Sequence, residues 1–141
     1  MLKQAAASPL RKIMDFILFD EVRLLELFSA LSLLAWAKVL LTGPDTLTLA
    51  RGFGPIEATV SAYFFGAIVL LQTWTMFDRS RHRLDLRFAA MALSSGAWTV
   101  IAWELWRAGM PPTVNLNYSM LAAACAASGI WLGWKSTSYL S

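Results

Sequence analysis

Four apolar stretches, separated by short polar connections, dominate this chain of 141 residues. Each stretch has about the 20 residues that a helix needs to cross a bilayer. Inside hydrocarbon every backbone N–H and C=O group must be satisfied within its own segment, so each stretch is predicted to be α-helical. The sequence therefore predicts an all-α polytopic membrane protein, a four-helix antiparallel transmembrane bundle with spans at about 22–42, 57–77, 87–106 and 114–134.

The composition leaves little room for anything outside the bilayer. Hydrophobic residues make up 57% of the chain and the mean hydropathy is +0.54, which is too apolar for a typical soluble domain. The net charge is +3, but the basic residues flank the apolar stretches instead of forming a stripe on a soluble face. We therefore expect no nucleic acid as a partner. The expected partners are the lipid bilayer and either a second copy of the chain or another membrane protein.

Residues 1–20 are predicted to form a cytoplasmic arm, 21–135 the transmembrane domain and 136–141 a cytoplasmic tail. Within the arm, apolar side chains of 10–19 share one helical face, which favours a short interfacial helix along the cytoplasmic leaflet. A ragged start of the first span is the alternative. Because Met14 is in frame, residues 1–13 could also be a dispensable extension.

Glycine and proline mark the ends of the predicted spans. Gly43 and Pro44 should end the first span, and Pro55 should open the second. Pro111 and Pro112 separate the third span from the fourth. Connections this short favour antiparallel neighbours.

The distribution of Lys and Arg predicts the orientation of the spans. One side carries nine basic residues, and the opposite side carries only Lys38, Arg51 and Arg107. By the positive-inside rule the side with nine is cytoplasmic, which places both termini there. The main topology determinants are the residues around the second connection: Arg79, Arg81, Arg83 and Arg87. Six of the seven Trp residues would then lie near the two interfaces, and only Trp98 would lie deep.

Ionisable residues within the spans are the default candidates for function, because burying a charge costs several kcal/mol unless it is paired. Lys38 and Glu104 lie at matching depths in the first and third spans, so an intramembrane ion pair between them is predicted. The alternative is that both side chains extend to the headgroups. Glu26 is expected to pair locally with Arg23, three residues earlier on the same helical face.

The fourth span carries a stripe of small residues. Cys125, Gly129 and Gly133 recur every four residues, a spacing that lets two helix backbones approach closely. The third span offers a similar stripe at Ala89, Ala92 and Gly96. Two interpretations stay open: the stripes pack the third span against the fourth within one protomer, or one of them mediates oligomerisation.

The sequence shows no pattern typical of an enzyme. His, Cys and carboxylate residues have no ligand spacing, so no metal and no cofactor is expected. A phosphate-binding glycine loop and a nucleophile elbow are both lacking. Candidate acids and bases do not converge on an evident pocket, and we predict that the protein is not an enzyme.

Scattered residues give the chain a recognisable layout. Trp36 lies in the first predicted span, and Gly43 to Thr46 are expected to form a turn. Tyr63 to Gly66 lie in the second predicted span, and Pro111 and Tyr118 precede a predicted small-residue helix that ends at Trp131. Over about residues 20–135 this layout resembles small four-span membrane proteins encoded by tailed bacteriophages and prophages. The resemblance implies a bacterial inner-membrane location and a holin-like role, in which oligomers open lesions in the membrane.

Two other functions compete with the holin-like role. One is a membrane adaptor or exclusion protein that binds another membrane component. The other is a small transporter, because four spans of similar length are also the layout of the small multidrug resistance proteins. Those proteins place a carboxylate well within the first span, whereas Glu26 lies nearer the inner end beside Arg23.

Overall fold

The computed structural model describes residues 9, 21–42 and 55–138. Within 21–42 and 55–138 the chain forms four α-helices: α1 (Glu21–Thr42), α2 (Pro55–Phe77), α3 (Arg83–Arg107) and α4 (Pro112–Ser138). The all-α prediction is confirmed for this part of the chain, and the helices lie where the four apolar stretches predicted them. The predicted interfacial helix at 10–19 lies outside the described residues, as do the last three residues of the predicted tail.

Three of the four helices, α1, α2 and α3, are long and apolar enough to cross a membrane. This supports a membrane location. Helix α4, the longest of the described helices with 27 residues, is not among these three.

Local chemistry explains where the helices begin and end. Helices α2 and α4 each begin at a proline, whose fixed φ suits the first helical position and whose missing N–H would have no helical partner there. Helix α3 ends at a turn in which Gly109 adopts φ +72°, a left-handed conformation that glycine adopts without steric cost. The Gly109 N–H donates to the Trp106 carbonyl at 3.0 Å and satisfies one of the last helical acceptors.

The connection from α2 to α3 is organised around Asp78. The Ser80 hydroxyl and the Ser80 N–H both donate to the Asp78 carboxylate, at 2.6 and 3.1 Å. These hydrogen bonds favour the charged form and lower the pKa of Asp78 below its ordinary value. The turn therefore keeps its polar groups bonded while the chain reverses direction.

Helix α3 is central to the packing. Its most extensive contact is with α4, and it also packs against α2, while α1 packs mainly on α2 and makes few contacts with α4. Side chains of α1 and α3 meet in ascending order, Glu26 with Arg87 and Ser29 with Trp98, so these two helices run in the same direction. The core between the helices includes the fully buried Leu33, Phe65, Ile68, Met91, Trp98, Ile101 and Leu105.

Candidate functional site

A buried ion pair joins α1 to α3. The Arg87 Nε donates to Glu26 Oε1 at 2.9 Å, and Arg87 Nη2 donates to Glu26 Oε2 at 2.9 Å. Only 1% of Glu26 and 4% of Arg87 is exposed. This two-pronged geometry is the strongest form of a guanidinium–carboxylate contact, and it compensates much of the cost of removing both charges from water. The predicted contact between Glu26 and Arg23 stays a prediction.

Arg87 therefore has a different role from the one that the sequence predicted. Arg79, Arg81 and Arg83 are exposed around the α2–α3 connection, as expected for topology determinants. Arg87, which was predicted to belong with them, lies one turn further into α3 on the face that also carries the buried Met91 and Trp98. Its guanidinium points into the protein because the Glu26 carboxylate lies there.

A second polar contact lies next to the ion pair along α1. Ser29, fully buried, accepts a hydrogen bond from the Trp98 indole N–H at 2.9 Å, and the Cys125 thiol donates to the same oxygen at 3.8 Å. The Trp98 ring stacks on Tyr118 at a centroid distance of 5.8 Å, and Tyr118 meets Trp36 edge-on at 5.7 Å. Ser29 thus links α1 to both α3 and α4.

Helix α2 contributes an amide to the interior. Gln72 is 1% exposed, and its Nε2 donates to the Met91 thioether sulfur at 3.7 Å, a weak acceptor. Among the described residues, nothing donates a hydrogen bond to the buried Gln72 Oε1. Met91 is one helical turn from Arg87, so this amide lies near the level of the ion pair.

The predicted Lys38–Glu104 pair is wrong for the part of the chain that is described. Glu104 pairs with Arg107 at 3.3 Å, three residues later on its own helix, and no ion pair joins it to Lys38. Lys38 is exposed and lines a groove between α1 and α2. The prediction matched the two residues by depth alone, whereas the face of each helix decides which residues meet.

The stripe of α4 packs inside the protomer. Cys125 and Gly129 are buried against α3, and a Cβ on Gly129 would lie 3.5 Å from Met91 Cβ. At Gly133 a Cβ would lie 3.2 Å from the Phe88 ring. Small side chains at these positions allow the close approach of α3 and α4.

The stripe of α3 does not face α4. Ala89, Ala92 and Gly96 are exposed, and a Cβ built on Gly96 meets nothing within 4 Å. The expectation that this stripe matches that of α4 is therefore wrong. The partner surface for α4 consists instead of larger residues such as Phe88 and Met91, with the Ser95 hydroxyl donating to the Ala122 carbonyl at 2.9 Å.

Several grooves lie on the described surface. One, of about 770 Å³, separates α1 from α4 and is lined mainly by aromatic and aliphatic side chains, including Phe28, Trp36 and Tyr118. A second, about 740 Å³, lies between α1 and α2. A smaller groove, of about 330 Å³, lies between α3 and α4 and is lined by Ser95, Thr99, Ser119 and neighbouring alanines.

The buried polar residues link helices α1, α3 and α4. The Glu26 carboxylate is engaged by Arg87, and the Cys125 thiol is completely buried. Within the described residues, His, Cys, Asp and Glu form no group of three or more that could hold a metal ion. The arrangement can stabilise a particular packing of helices and, if the ion pair opens, expose two charges.

No protein-family model matches the chain, and neither a curated protein nor a solved structure shows significant similarity to it.

Sequence reasoning missed the Glu26–Arg87 pair. The signal that could have found it is the period of α3, in which Arg87, Met91, Ser94 and Trp98 recur at helical spacing and share one face. A face that carries Trp98 and Met91 faces the interior, so Arg87 on it requires a buried acceptor. Glu26 lies near the matching end of α1, about as far into its helix as Arg87 is into α3.

Proposed function

We propose that the chain crosses the bacterial inner membrane four times as an antiparallel bundle, with both termini in the cytoplasm. The fourth span is supported by the length of α4 and by its single charged residue, Lys135, near its end. Helix α4 also covers α3 along most of its length, and a four-residue connection joins the two. A helix packed on a membrane span over this distance is expected to share its bilayer environment.

The proposed orientation follows from the positive charges. Even without Arg87, which is buried in the ion pair, the side with the termini keeps most of the Lys and Arg residues. The exposed Trp residues agree, since Trp103 and Trp106 lie toward one end of the helices and Trp74, Trp131 and Trp134 toward the other. A reporter fused after Ser141 should be active in the cytoplasm, and a reporter within 43–54 should be active outside.

The function that we propose is holin-like: copies of the chain associate in the membrane and permeabilise it. The supporting observation is the outward face of small and hydroxyl-bearing residues on α3, with Ala92, Gly96 and Thr99 exposed. This face continues into the groove that Thr99 lines together with Ser119 and Ala123 of α4. Small residues permit close helix approach, and hydroxyl groups can bond across helices or line a water-filled lesion. The proposed bacteriophage origin depends on the resemblance in layout.

The test is induction of the chain alone in a bacterial host, with membrane potential followed by a voltage-sensitive dye. We expect the wild-type protein to collapse the potential and to crosslink into oligomers. Gly96→Leu should prevent both, because it places a large side chain on the proposed contact face and there is open space beside Gly96 in the protomer.

The matched control is Ala35→Leu, which introduces the same side chain at an exposed position on α1, away from the α3 face. This variant should depolarise the membrane as the wild type does. Normal growth and normal potential at high membrane abundance of the wild type would rule out the holin-like role. Equal loss in both leucine variants would rule out the α3 face as the contact.

A second candidate is an adaptor that binds another membrane protein. It is favoured by the groove between α1 and α4, which is wide enough for large side chains and lined by Phe28, Tyr118 and Met120. An adaptor should co-purify a partner of fixed stoichiometry in mild detergent, and Ala35→Leu, at the groove wall, should release it. A clean homo-oligomer would contradict this role.

The transporter alternative has less support. A coupling carboxylate must exchange its partner during the cycle, whereas Glu26 is held on both oxygens by Arg87. If the chain does export cationic drugs or guanidinium, Glu26→Gln should abolish the export. Export that survives this substitution would remove the proposed coupling residue.

A further inference from the structure

The groove between α1 and α2 has an apolar floor and apolar walls. Ala37 and Ala62 are buried and form its base, while the exposed Leu34, Leu41 and Leu70 form its sides. Gly66 also lines it, and a Cβ on Gly66 would meet nothing within 4 Å. A groove of about 740 Å³ that faces hydrocarbon is not a favourable place for water. Within a bilayer, a lipid acyl chain can fill the groove.

One cation lies on this groove. Among the described residues that line it, Lys38 alone is charged, and the Lys38 ammonium forms no ion pair with a described residue. Tyr63, with an exposed hydroxyl-bearing ring, lines the same groove. Lys38 lies one turn before the end of α1, from where a lysine side chain can extend to the headgroup level.

We propose that the α1–α2 groove binds an anionic phospholipid. One acyl chain lies along Ala37, Ala62 and Gly66, and the phosphate group binds the Lys38 ammonium, with the Tyr63 hydroxyl as a further donor. The proposal depends on the membrane embedding proposed above, and with that orientation the lipid belongs to the outer leaflet. Charge complementarity selects the headgroup, since a basic residue near the membrane surface favours anionic lipids.

A second copy of the chain is a poorer occupant of the groove. Docking of an apolar helix would cover the Lys38 ammonium without supplying a carboxylate, and burying an unpaired charge is costly. A two-fold interface centred on this groove would in addition bring two Lys38 side chains together. A phospholipid avoids both costs, because its anionic headgroup can pair with Lys38 while its acyl chain lies along the apolar part of the groove.

The experiment is native mass spectrometry of the full-length protein, purified in a mild maltoside detergent. It is mixed with equal amounts of phosphatidylglycerol and phosphatidylcholine that carry identical acyl chains. We expect the wild type to bind phosphatidylglycerol about fivefold better, the preference that one well-placed lysine supplies. Lys38→Gln should bind both lipids equally, Lys38→Arg should keep the preference, and Lys135→Gln should keep it as the matched control.

Gly66→Leu tests the groove itself. The leucine would occupy the open space beside Gly66, so this variant should fold with an unchanged unfolding temperature and lose both lipids. Equal binding of the two lipids by the wild type would overturn the proposal, as would a preference that persists in Lys38→Gln. A protein dimer that Gly66→Leu abolishes would place a second copy in the groove and would also overturn it.

The lipid measurement uses purified protein and requires neither lysis nor oligomers. Wild-type protein that selects phosphatidylglycerol but leaves the membrane potential intact would refute the holin-like function alone. Wild-type protein that depolarises membranes but shows no lipid preference would refute the lipid site alone.

Discussion

Arg87 of α3 holds both carboxylate oxygens of Glu26 of α1, at 2.9 Å for the two shortest contacts, in the interior of the protein. The two residues are 61 positions apart in the chain, so the pair fixes the relative position of two helices that are not sequential neighbours. The direct helix packing of α1 is mainly with α2, and the ion pair is a main link between α1 and α3. Its strength is therefore expected to determine how readily α1 can separate from α3.

Breaking the pair from one side should strongly destabilise the protein. We expect Glu26→Gln or Arg87→Leu to lower the free energy of unfolding in mixed micelles by about 3–5 kcal/mol, because each leaves a buried group without its charged partner. Replacing both residues with leucine should cost much less than the sum of the two single changes, since no unpaired charge remains.

The matched control for this prediction is Glu104→Gln. Glu104 also pairs with an arginine, but 61% of the Arg107 side chain is exposed and the two are neighbours on one helix. Such a pair contributes less than about 1 kcal/mol. Equal effects of Glu26→Gln and Glu104→Gln would contradict the assignment of Glu26–Arg87 as the stabilising pair.

The helices could be predicted from the sequence, whereas the pairing of buried polar groups could not. The positions of the helices follow from the lengths of the apolar stretches and from prolines such as Pro55 and Pro112, at which two helices begin. Both features can be read from the local sequence. To identify the partner of Glu104, one must know how each helix is rotated about its own axis. Depth along the membrane pointed to Lys38, but Lys38 lies on the α2 side of α1, and Arg107 is available one turn from Glu104.

The exposed small-residue face of α3 illustrates the same limit. The sequence contains two stripes at helical spacing, one with Gly129 and one with Gly96, and spacing alone cannot tell which of them faces a neighbouring helix. Bulky side chains decide the outcome, because Phe88 and Met91 contact α4 at Gly129 and Gly133, whereas open space lies beside Gly96. Of the two stripes, the one with Gly129 packs against α3 within the protomer.

A graded series at the two glycines tests this division. Gly129→Ala should be nearly neutral, since a Cβ there makes an ordinary contact at 3.5 Å. Gly129→Leu should lower the free energy of unfolding by about 1–3 kcal/mol, because the longer side chain must displace α3. Gly96→Leu should change it by less than about 0.5 kcal/mol, since open space lies beside Gly96. A larger loss at Gly96 than at Gly129 would contradict the described packing of α3 on α4.

Removing the shared acceptor of α1 should weaken its attachment to two helices. Ser29→Ala leaves the Trp98 N–H and the Cys125 thiol without their acceptor, and we expect a loss of about 1 kcal/mol in the free energy of unfolding. Ser32→Ala, one turn along α1 at the edge of the wide groove, is the control and should cost less. A double-mutant cycle with Trp98→Phe should show coupling with Ser29, and additive effects would argue against the hydrogen bond.

The amide of Gln72 offers a test of whether a buried polar group is retained for stability. Among the described residues no donor reaches its oxygen, and its nitrogen donates to the Met91 sulfur, a weak acceptor. Its hydrogen bonds therefore offset little of the free-energy cost of its desolvation. Gln72→Leu keeps the volume similar and removes both polar atoms. We therefore expect it to raise the free energy of unfolding by about 1 kcal/mol.

The same variant, induced in a bacterial host, separates stability from function. If Gln72→Leu is more stable and still depolarises the membrane, then Gln72 has no part in permeabilisation. If the variant is more stable and no longer depolarises the membrane, the Gln72 amide is needed for permeabilisation. The amide would then act in a state in which α2 and α3 have moved apart and its oxygen accepts a hydrogen bond. A decrease in the free energy of unfolding would show that the Gln72 oxygen is satisfied in the folded protein.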